Sequence, residues 1–300
     1  MEAAADAVCH SGAVARRVLP PSPALTGLVQ VYWLLVEDHP RAEQHVFLPE
    51  HTAHLTFHAG RSWALGPGGV RTPLPRATLD GLVVTPAHVL SEGPVRALRA
   101  ELYPWAARQL FGWSYPDGSL DLLSGAAGPD AVPAARGIMA ALTAHDDDTA
   151  VGLLDSWLRR RLTAQGRPPG AGVQAAVQLY HSGGQRRVGD LADDLGLSAR
   201  TLERQFAQEV GIGAKTLARL IRFESAHNAL SHDPQTPLAA LAYDLGFADQ
   251  AHLTREFRAL AGLTPGTYAT LSARRPRDPD PSSQADPRVV LPALPGEGRL

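Results

Sequence analysis

The sequence predicts an α+β protein, with a β-rich part leading and an all-helical part following. Three observations carry that prediction. Between about Leu25 and Leu90 the apolar residues fall into short runs set apart by Gly and Pro, as in LVQVYWLLV, VFLP, HLTFHAG and LDGLVVTP. From Val173 to about Leu271 they recur at helical spacing instead. Within that second region one unit is written twice, LADDLGLSARTLERQFAQEVG from Leu191 and LAYDLGFADQAHLTREFRALAG from Leu241.

Taken in order, residues 1–20 read as a flexible leader and 21–165 as a β-rich domain ending in helices. WALGPGGVRTPLP breaks helices and builds turns, and short strands at this spacing favour a sandwich or barrel over a βαβ sheet. ALRAELYPWAARQLFG changes to a helical period. AVPAARGIMAALTAHDDDTAVGLLDSWLRRRLTA supplies one or two more helices, with Ile138, Leu142 and later Leu153, Leu154, Trp157 and Leu158 on stripes. In it, Asp146 to Asp148 read as a solvated loop or helix start, and the Leu153–Trp157–Arg161 region as core plus a solvated basic face. GRPPGAG, residues 166–172, has two prolines and three glycines and reads as a hinge. Residues 173–272 form the helical domain. The last segment, 273–300, is Pro-rich and charged around RRPRDPDPSSQADP, too poor in apolar groups to pack, and reads as a disordered tail.

The repeat explains the helical domain. Leu191, Ala192, Asp194, Leu195 and Gly196 recur as Leu241, Ala242, Asp244, Leu245 and Gly246; after one inserted residue, Leu202, Arg204, Phe206 and Gly211 recur as Leu253, Arg255, Phe257 and Gly262. Each copy is a short helix, a Gly-containing turn and a second helix, which is a helix-turn-helix. Ser198 and Asp249 suit the N-caps of the second helices, and Thr236 before Pro237 suits the N-cap of the second copy's first helix. At 100° per residue, Leu202, Phe206 and Val210 share one side of the first copy's second helix and leave Arg200, Thr201, Glu203 and Arg204 facing out or flanking. In the second copy Leu253, Phe257, Leu260 and Ala261 turn inward, leaving Gln250, Ala251, Thr254, Arg255 and Arg258 toward the outside. Guanidinium, amide and hydroxyl groups on such a face suit base edges and phosphates in a major groove. Between the copies, AKTLARLIRFESAHNAL reads as one helix of about 25 Å at 1.5 Å per residue. A rigid spacer of that size can hold two recognition helices about one DNA turn, roughly 34 Å, apart.

Composition narrows the alternatives. The net charge is −2, and nine basic against ten acidic residues between Gly170 and Ser272 leave even the helical domain without a basic surplus, so DNA attraction must come from asymmetric placement. Asp190, Asp193, Asp194 and Asp244 are expected on the groove-remote helices. Cys9 is the only cysteine, which excludes an internal disulfide and fits a reducing compartment. The run LTGLVQVYWLLV is far shorter than the roughly 20 apolar residues of a membrane span, and no secretory signal is legible. A cytoplasmic protein without membrane contact is expected. GPGGVRTPLP lacks the Lys-Ser/Thr of a phosphate loop, and no G-x-S-x-G elbow occurs.

These residues also carry a family resemblance. GF.DQ.HLTR.FR…G.TP..Y, on Gly246, Phe247, Asp249, Gln250, His252, Leu253, Thr254, Arg255, Phe257, Arg258, Gly262, Thr264, Pro265 and Tyr268, is similar to the C-terminal signature of AraC-type (AraC/XylS) transcriptional regulators. The resemblance covers about a hundred residues, Val173 to Leu271. It implies a seven-helix DNA-binding unit with contacts at Arg200, Glu203 and Arg204 in one helix and at Gln250, Ala251, Thr254 and Arg255 in the other. LPEHTAHLTFHAG and VRALRAELYPWAARQLFG resemble, more faintly, a cupin-like sensing domain of one subgroup, which implies that residues 21–165 serve sensing and dimerisation. The resemblance further implies a sequence-specific regulator of double-stranded DNA, homodimeric, with a small-molecule effector in the N-terminal domain and contact with RNA polymerase.

HVFLPEHTAHLTFH holds His45, His51, His54 and His58. On a strand, His54, Thr56 and His58 point to one face, and Leu55 and Phe57 to the other. Structural histidines are the favoured reading. A metal pair at His54 and His58 is the alternative, which would make the chain a metal-dependent cupin-like enzyme carrying a DNA-targeting domain; it needs a third ligand from elsewhere. No cofactor is expected on the leading reading.

Overall fold

Period-two alternation organises the first half of the chain. In the computed structural model, which describes residues 15–113, 118–165, 168–273 and 288–289, the strands are β1 (Ala15–Leu19), β2 (Val29–Phe47), β3 (Ala53–Leu65), β4 (Arg71–Pro73), β5 (Ala77–Asp80), β6 (Ala87–Leu102), β7 (Ser119–Asp121) and β8 (Arg288–Val289). All pairings are antiparallel, and the sheet order is β1-β2-β6-β3-β5-β7, with β4 beside β3 and β8 beside β2. The path has two ends, so among the described residues hydrogen bonding does not close it into a ring.

Both faces of this sheet are covered, which is why LVQVYWLLV is almost unbroken in apolar residues. Tyr32 and Leu34 of β2, Leu55 and Phe57 of β3, Ala77 and Leu79 of β5, and Leu98, Ala100 and Leu102 of β6 are buried in the main core. Their sequence neighbours Trp33, Leu35, Thr56, Thr78, Arg99 and Glu101 face the other way and line a cavity of about 910 Å³. Three helices cover the core face: α1 (Ala106–Phe111), α2 (Ala131–Thr143) and α3 (Asp147–Gln165). Ile138, Leu142, Leu154, Trp157 and Leu158 are the stripes they bury, as the spacing implied, whereas Leu153, expected on the same stripe, is exposed on the outer side of α3.

Four local expectations change. Ala15–Leu19, expected in the leader, pairs in register with Tyr32–Val36, and the Arg16 guanidinium lies 3.6 Å over the Trp33 ring. ALRAEL is the end of β6, not helix: Leu98, Ala100 and Leu102 alternate into the core, and the helix begins only after the Tyr103–Pro104 turn. LDGLVVTP contributes β5 up to Asp80 and then leaves the sheet until Ala87. Arg161 is buried rather than solvated, held by Asp130 at 2.6 Å and the Ala127 carbonyl at 2.5 Å, with its face toward Phe111. The acidic run does open α3: Asp146 accepts the Thr149 N–H, and Asp147 pairs with Arg96 at 2.7 Å.

Among the described residues seven helices follow: α4 (Ala171–His181), α5 (Val188–Asp194), α6 (Ala199–Val210), α7 (Ala214–His232), α8 (Leu238–Asp244), α9 (Gln250–Ala261) and α10 (Pro265–Ser272). That is the number the AraC-type resemblance implied. Close packing is visible at two glycines. A Cβ on Gly172 would stand 2.6 Å from the Gln205 carbonyl, and one on Gly184, at φ +75°, 2.7 Å from the Ala218 carbonyl, so α4 and the turn after it touch backbone on α6 and α7. Residues 1–14, Gly166, Arg167, and the tail from 274 on apart from Arg288 and Val289 lie outside the described residues, so Cys9, the start of the hinge and most of the expected tail do too.

Sheet and helices share apolar contacts. Val46 and Leu48 pack into the second hydrophobic cluster with Leu220, Phe223 and Ala226 of α7. Beside them the imidazole of His51 sits between the Glu224 carboxylate and the Tyr180 hydroxyl, and Gln30 donates to that hydroxyl at 2.7 Å.

Candidate nucleic-acid interface

The two copies fold alike because their backbones make the same bonds. In the first, α5 ends at Gly196 with φ +64°, the Gly196 N–H donates to the Asp193 carbonyl at 3.1 Å and the Leu197 N–H to that of Ala192 at 2.9 Å. In the second, Gly246 has φ +71°, its N–H donates to the Tyr243 carbonyl at 3.1 Å, and the Phe247 N–H to that of Ala242 at 2.9 Å. Left-handed glycine is the ordinary solution to this turn.

Capping then aims the second helix of each copy. The Ser198 hydroxyl accepts the Thr201 N–H at 3.2 Å, and the Asp249 carboxylate accepts the His252 N–H at 2.6 Å. Thr236 does not cap α8: its hydroxyl donates to the Asp233 carbonyl at 2.8 Å, and the helix starts after Pro237. Leu202, Phe206 and Val210 of α6, and Leu253, Phe257, Leu260 and Ala261 of α9, are buried. Glu209, which shares the inward side, accepts the Val173 N–H at 3.0 Å and so serves the start of α4.

With those sides committed, Arg200, Glu203 and Arg204 of α6 and Gln250, Ala251, Arg255 and Arg258 of α9 are left on the outer side, most of them exposed. Thr201 is half-buried, its hydroxyl 2.8 Å from that of Ser198, and the Thr254 hydroxyl donates to the Gln250 carbonyl at 2.9 Å, which leaves both with little freedom to turn outward. The arginines divide into two groups. Arg186 pairs with Asp194 at 2.6 Å, Arg219 with Glu256 at 2.5 Å, and Arg222 donates to the Gly246 carbonyl at 3.2 Å while stacking on Phe247. Among the described residues no ion pair ties Arg200, Arg204, Arg255 or Arg258. The first group holds the fold; the second is available to a polyanion.

α7 joins the copies as one unbroken helix of 19 residues, about 28 Å at 1.5 Å per residue. The Arg219–Glu256 pair and Arg222 fix α9 and its turn to it. Between the two units lies a cleft of about 590 Å³ with Arg187 and Lys215 exposed on its lining. Neither is prominent in the repeat, because both fall outside the matching positions; Arg186-Arg187 directly before α5 was the available signal. The exposed Tyr243 of α8 is a second such residue.

The cavity-facing histidines are placed differently. His54 and His58 do share the cavity face of β3 with Thr56. His54 is engaged by Thr52 at 2.8 Å, Glu50 at 2.8 Å and the Arg99 guanidinium at 2.5 Å, while His58 meets the Pro75 carbonyl at 3.0 Å. A guanidinium against the His54 ring opposes a cation at the same place. Burial, with Arg99 adding to it, lowers the His54 pKa, and burial lowers that of His58 as well. Among the described residues nothing groups a third ligand with this pair, and the enzyme alternative gains no support.

Residues 191–270 match a helix-turn-helix domain family, and residues 17–117 match a domain of unknown function (DUF6597). The HTH-type transcriptional regulator RipA of Corynebacterium glutamicum is 34% identical over 103 residues, 34% of this chain and 30% of that protein. The HTH-type transcriptional regulator Rv1931c of Mycobacterium tuberculosis is 33% identical over 101 residues, 34% of this chain and 37% of its own length. The chain thus spans about a third of the length of the curated relatives it matches. A solved structure of ToxT from Vibrio cholerae aligns with 80% of this chain and 98% of its own at a TM-score of 0.46 and 12% identity, too distant to assign its properties here.

Proposed function

We propose that this chain, whose residues 191–270 match a helix-turn-helix domain family and carry the AraC-type signature, is a sequence-specific transcriptional regulator reading two adjacent major grooves of double-stranded DNA. The observation that carries the reading is the pair of equivalent helices, α6 and α9, each presenting two arginines outside any ion pair and both fixed to one rigid spacer. Arg200, Glu203, Arg204, Gln250, Ala251, Arg255 and Arg258 supply the contacts, with Thr201 and Thr254 at their edges. Arg187 and Lys215 hold phosphate between them.

The sheet domain is the modulating part. Its cavity is lined on the far side by Gly211, Ile212, Gly213 and Thr216, the turn that follows α6 and the start of α7. A small-molecule effector in the cavity therefore touches the segment that sets the first recognition helix. The protein acts as a homodimer in the cytoplasm, contacts RNA polymerase when it regulates, and is not an enzyme.

The test is selection of genomic fragments by the purified full-length protein at physiological salt, beside an Arg204→Ala/Arg255→Ala double variant. Enrichment of a motif with two elements about ten base pairs apart, lost in the variant, is the expected result. Equal recovery of all fragments by a folded protein, with or without the variant's changes, would overturn it.

A further inference from the structure

A different group of histidines comes together where β2 bends. From Val31 opposite Glu101, β2 and β6 pair without interruption up to His39 opposite Gly93 and resume at Glu43 opposite Ser91, so Pro40, Arg41 and Ala42 are looped out of register. On a regular strand, at 3.3 Å per residue, His39 and His45 would lie about 20 Å apart. Here their ring centroids are 5.0 Å apart, and His39 Nδ1 is 2.9 Å from Glu43 Oε2. Within this group His39, Glu43 and His45 each offer one ligand atom, and these atoms lie within 4.8 Å of one another. Glu37 stands beside them, its Oε2 3.4 Å from His39 Nε2.

The surroundings suit a cation. His39 is 4% exposed, His45 6% and Glu37 7%, so the bend holds two imidazoles and a carboxylate out of water. Among the described residues His39 Nε2 is buried and makes no hydrogen bond, with the Glu37 carboxylate at 3.4 Å its charge partner. Two donors on a tetrahedral zinc ion at about 2.05 Å stand about 3.3 Å apart, so the His39–Glu43 contact has only to open slightly and the wider separations to close by side-chain rotation. Glu37 and His45 also line the sheet cavity, which leaves room on that side for water or a ligand oxygen.

We propose that His39, Glu43 and His45 form a binding site for one divalent transition-metal ion of the zinc class, with Glu37 beside it as a further carboxylate. Two nitrogen donors and one or two carboxylate oxygens, without thiolate, favour zinc, nickel or cobalt over calcium or magnesium, which prefer all-oxygen shells. The site is distinct from His54 and His58. Bound metal would staple the two arms of β2 across the bend and stiffen the cavity wall.

The test uses full-length protein stripped with chelator and titrated calorimetrically with Zn²⁺, and separately with Co²⁺ under visible spectroscopy. One equivalent of Zn²⁺, a rise in thermal midpoint and the d–d bands of four-coordinate Co²⁺ are expected. His39→Gln/His45→Gln should weaken Zn²⁺ binding by at least roughly tenfold and remove the bands, while His54→Gln/His58→Gln should keep both. Glu43→Gln, a milder change, covers the case in which the double variant does not fold and should weaken binding in the same direction. Less than about 0.1 equivalent bound by the wild-type chain, or binding unchanged in the folded bend variants, would overturn the site. Loss confined to His54→Gln/His58→Gln would do so as well.

Discussion

Arg255 is exposed on α9, outside any ion pair, and directly follows Leu253 and Thr254 on the helix whose Leu253 and Phe257 are buried. On the proposed function, a side chain so placed reads bases or touches phosphate, and the two roles separate in one experiment. Arg255→Ala is expected to cost about 1–3 kcal/mol on the selected site and to relax preference at one or two base pairs; equal weakening on every sequence would reduce it to a phosphate contact. A second residue-scale prediction concerns the cavity. Burial pushes Glu101 up from 4.5 to about 7, reinforced by the charges of Glu50 and Glu224 against the opposing Arg99 and the Trp33 indole N–H, which donates at 2.6 Å. Its neighbour Glu50, although buried, is held down at about 2 by Arg99 and His54. A carboxyl whose folded pKa is raised binds its proton more tightly in the folded state, so this contribution to stability falls as pH rises from 4.5 to about 7. Glu101→Gln keeps an oxygen acceptor for Trp33 without the charge. It should flatten that window and stabilise the protein at pH 8 by roughly 1–3 kcal/mol in chemical denaturation; an unchanged profile would show that Glu101 is ionised without penalty.

At the scale of elements, the contact between sheet and helices has its own pH dependence. Burial alone would pull His51 down, but the charge and hydrogen bond of Glu224, with Glu50 and Glu101 behind them, outweigh it and raise the pKa above 6.5. The stabilisation is therefore complete below 6.5 and is lost as pH rises through the higher folded value. Glu224→Gln should remove roughly 1–3 kcal/mol measured at pH 6 and little at pH 9, a convergence that thermal unfolding across that range can check. Parallel curves would assign the loss to packing. Legibility also differs by element. The helix-turn-helix copies could be read from sequence because caps, glycine turns and apolar stripes are local, and Ser198, Gly196, Leu202 and Phe206 each act where their spacing places them. β6 is harder to read. ALRAEL does alternate, with Leu98, Ala100 and Leu102 toward the core and Arg99 and Glu101 toward the cavity. Yet it is built of strong helix formers and runs straight into YPWAARQLF, which carries α1, so the local preference points to helix. β1 hides for another reason: its Arg16 covers Trp33 instead of meeting water alone. The His39–Glu43–His45 group depends on a bend that only strand register reveals.

For the whole molecule the property that decides the proposed function is rigidity between the two proposed reading heads. α7 carries no proline or glycine, buries Leu217, Leu220, Ile221, Phe223, Ala226 and Leu230, and is tied to α9 through Arg219 and to the second turn through Arg222. Such a spacer fixes both the distance and the rotational phase of α6 and α9, whereas a flexible one would fix neither. The consequence lies in the operator. Inserting about five base pairs between its two elements puts them on opposite faces of the duplex, and inserting about ten restores the face but adds roughly 34 Å. With α7 rigid, both insertions should reduce affinity to that of a single element in a gel-shift titration; recovery at the ten-base-pair insertion would mean that the heads move independently. The same insertions report on the sheet domain. Because its cavity reaches the α6–α7 turn, an effector would alter contact with the first element ahead of the second, and the single-element operators carry that difference separately.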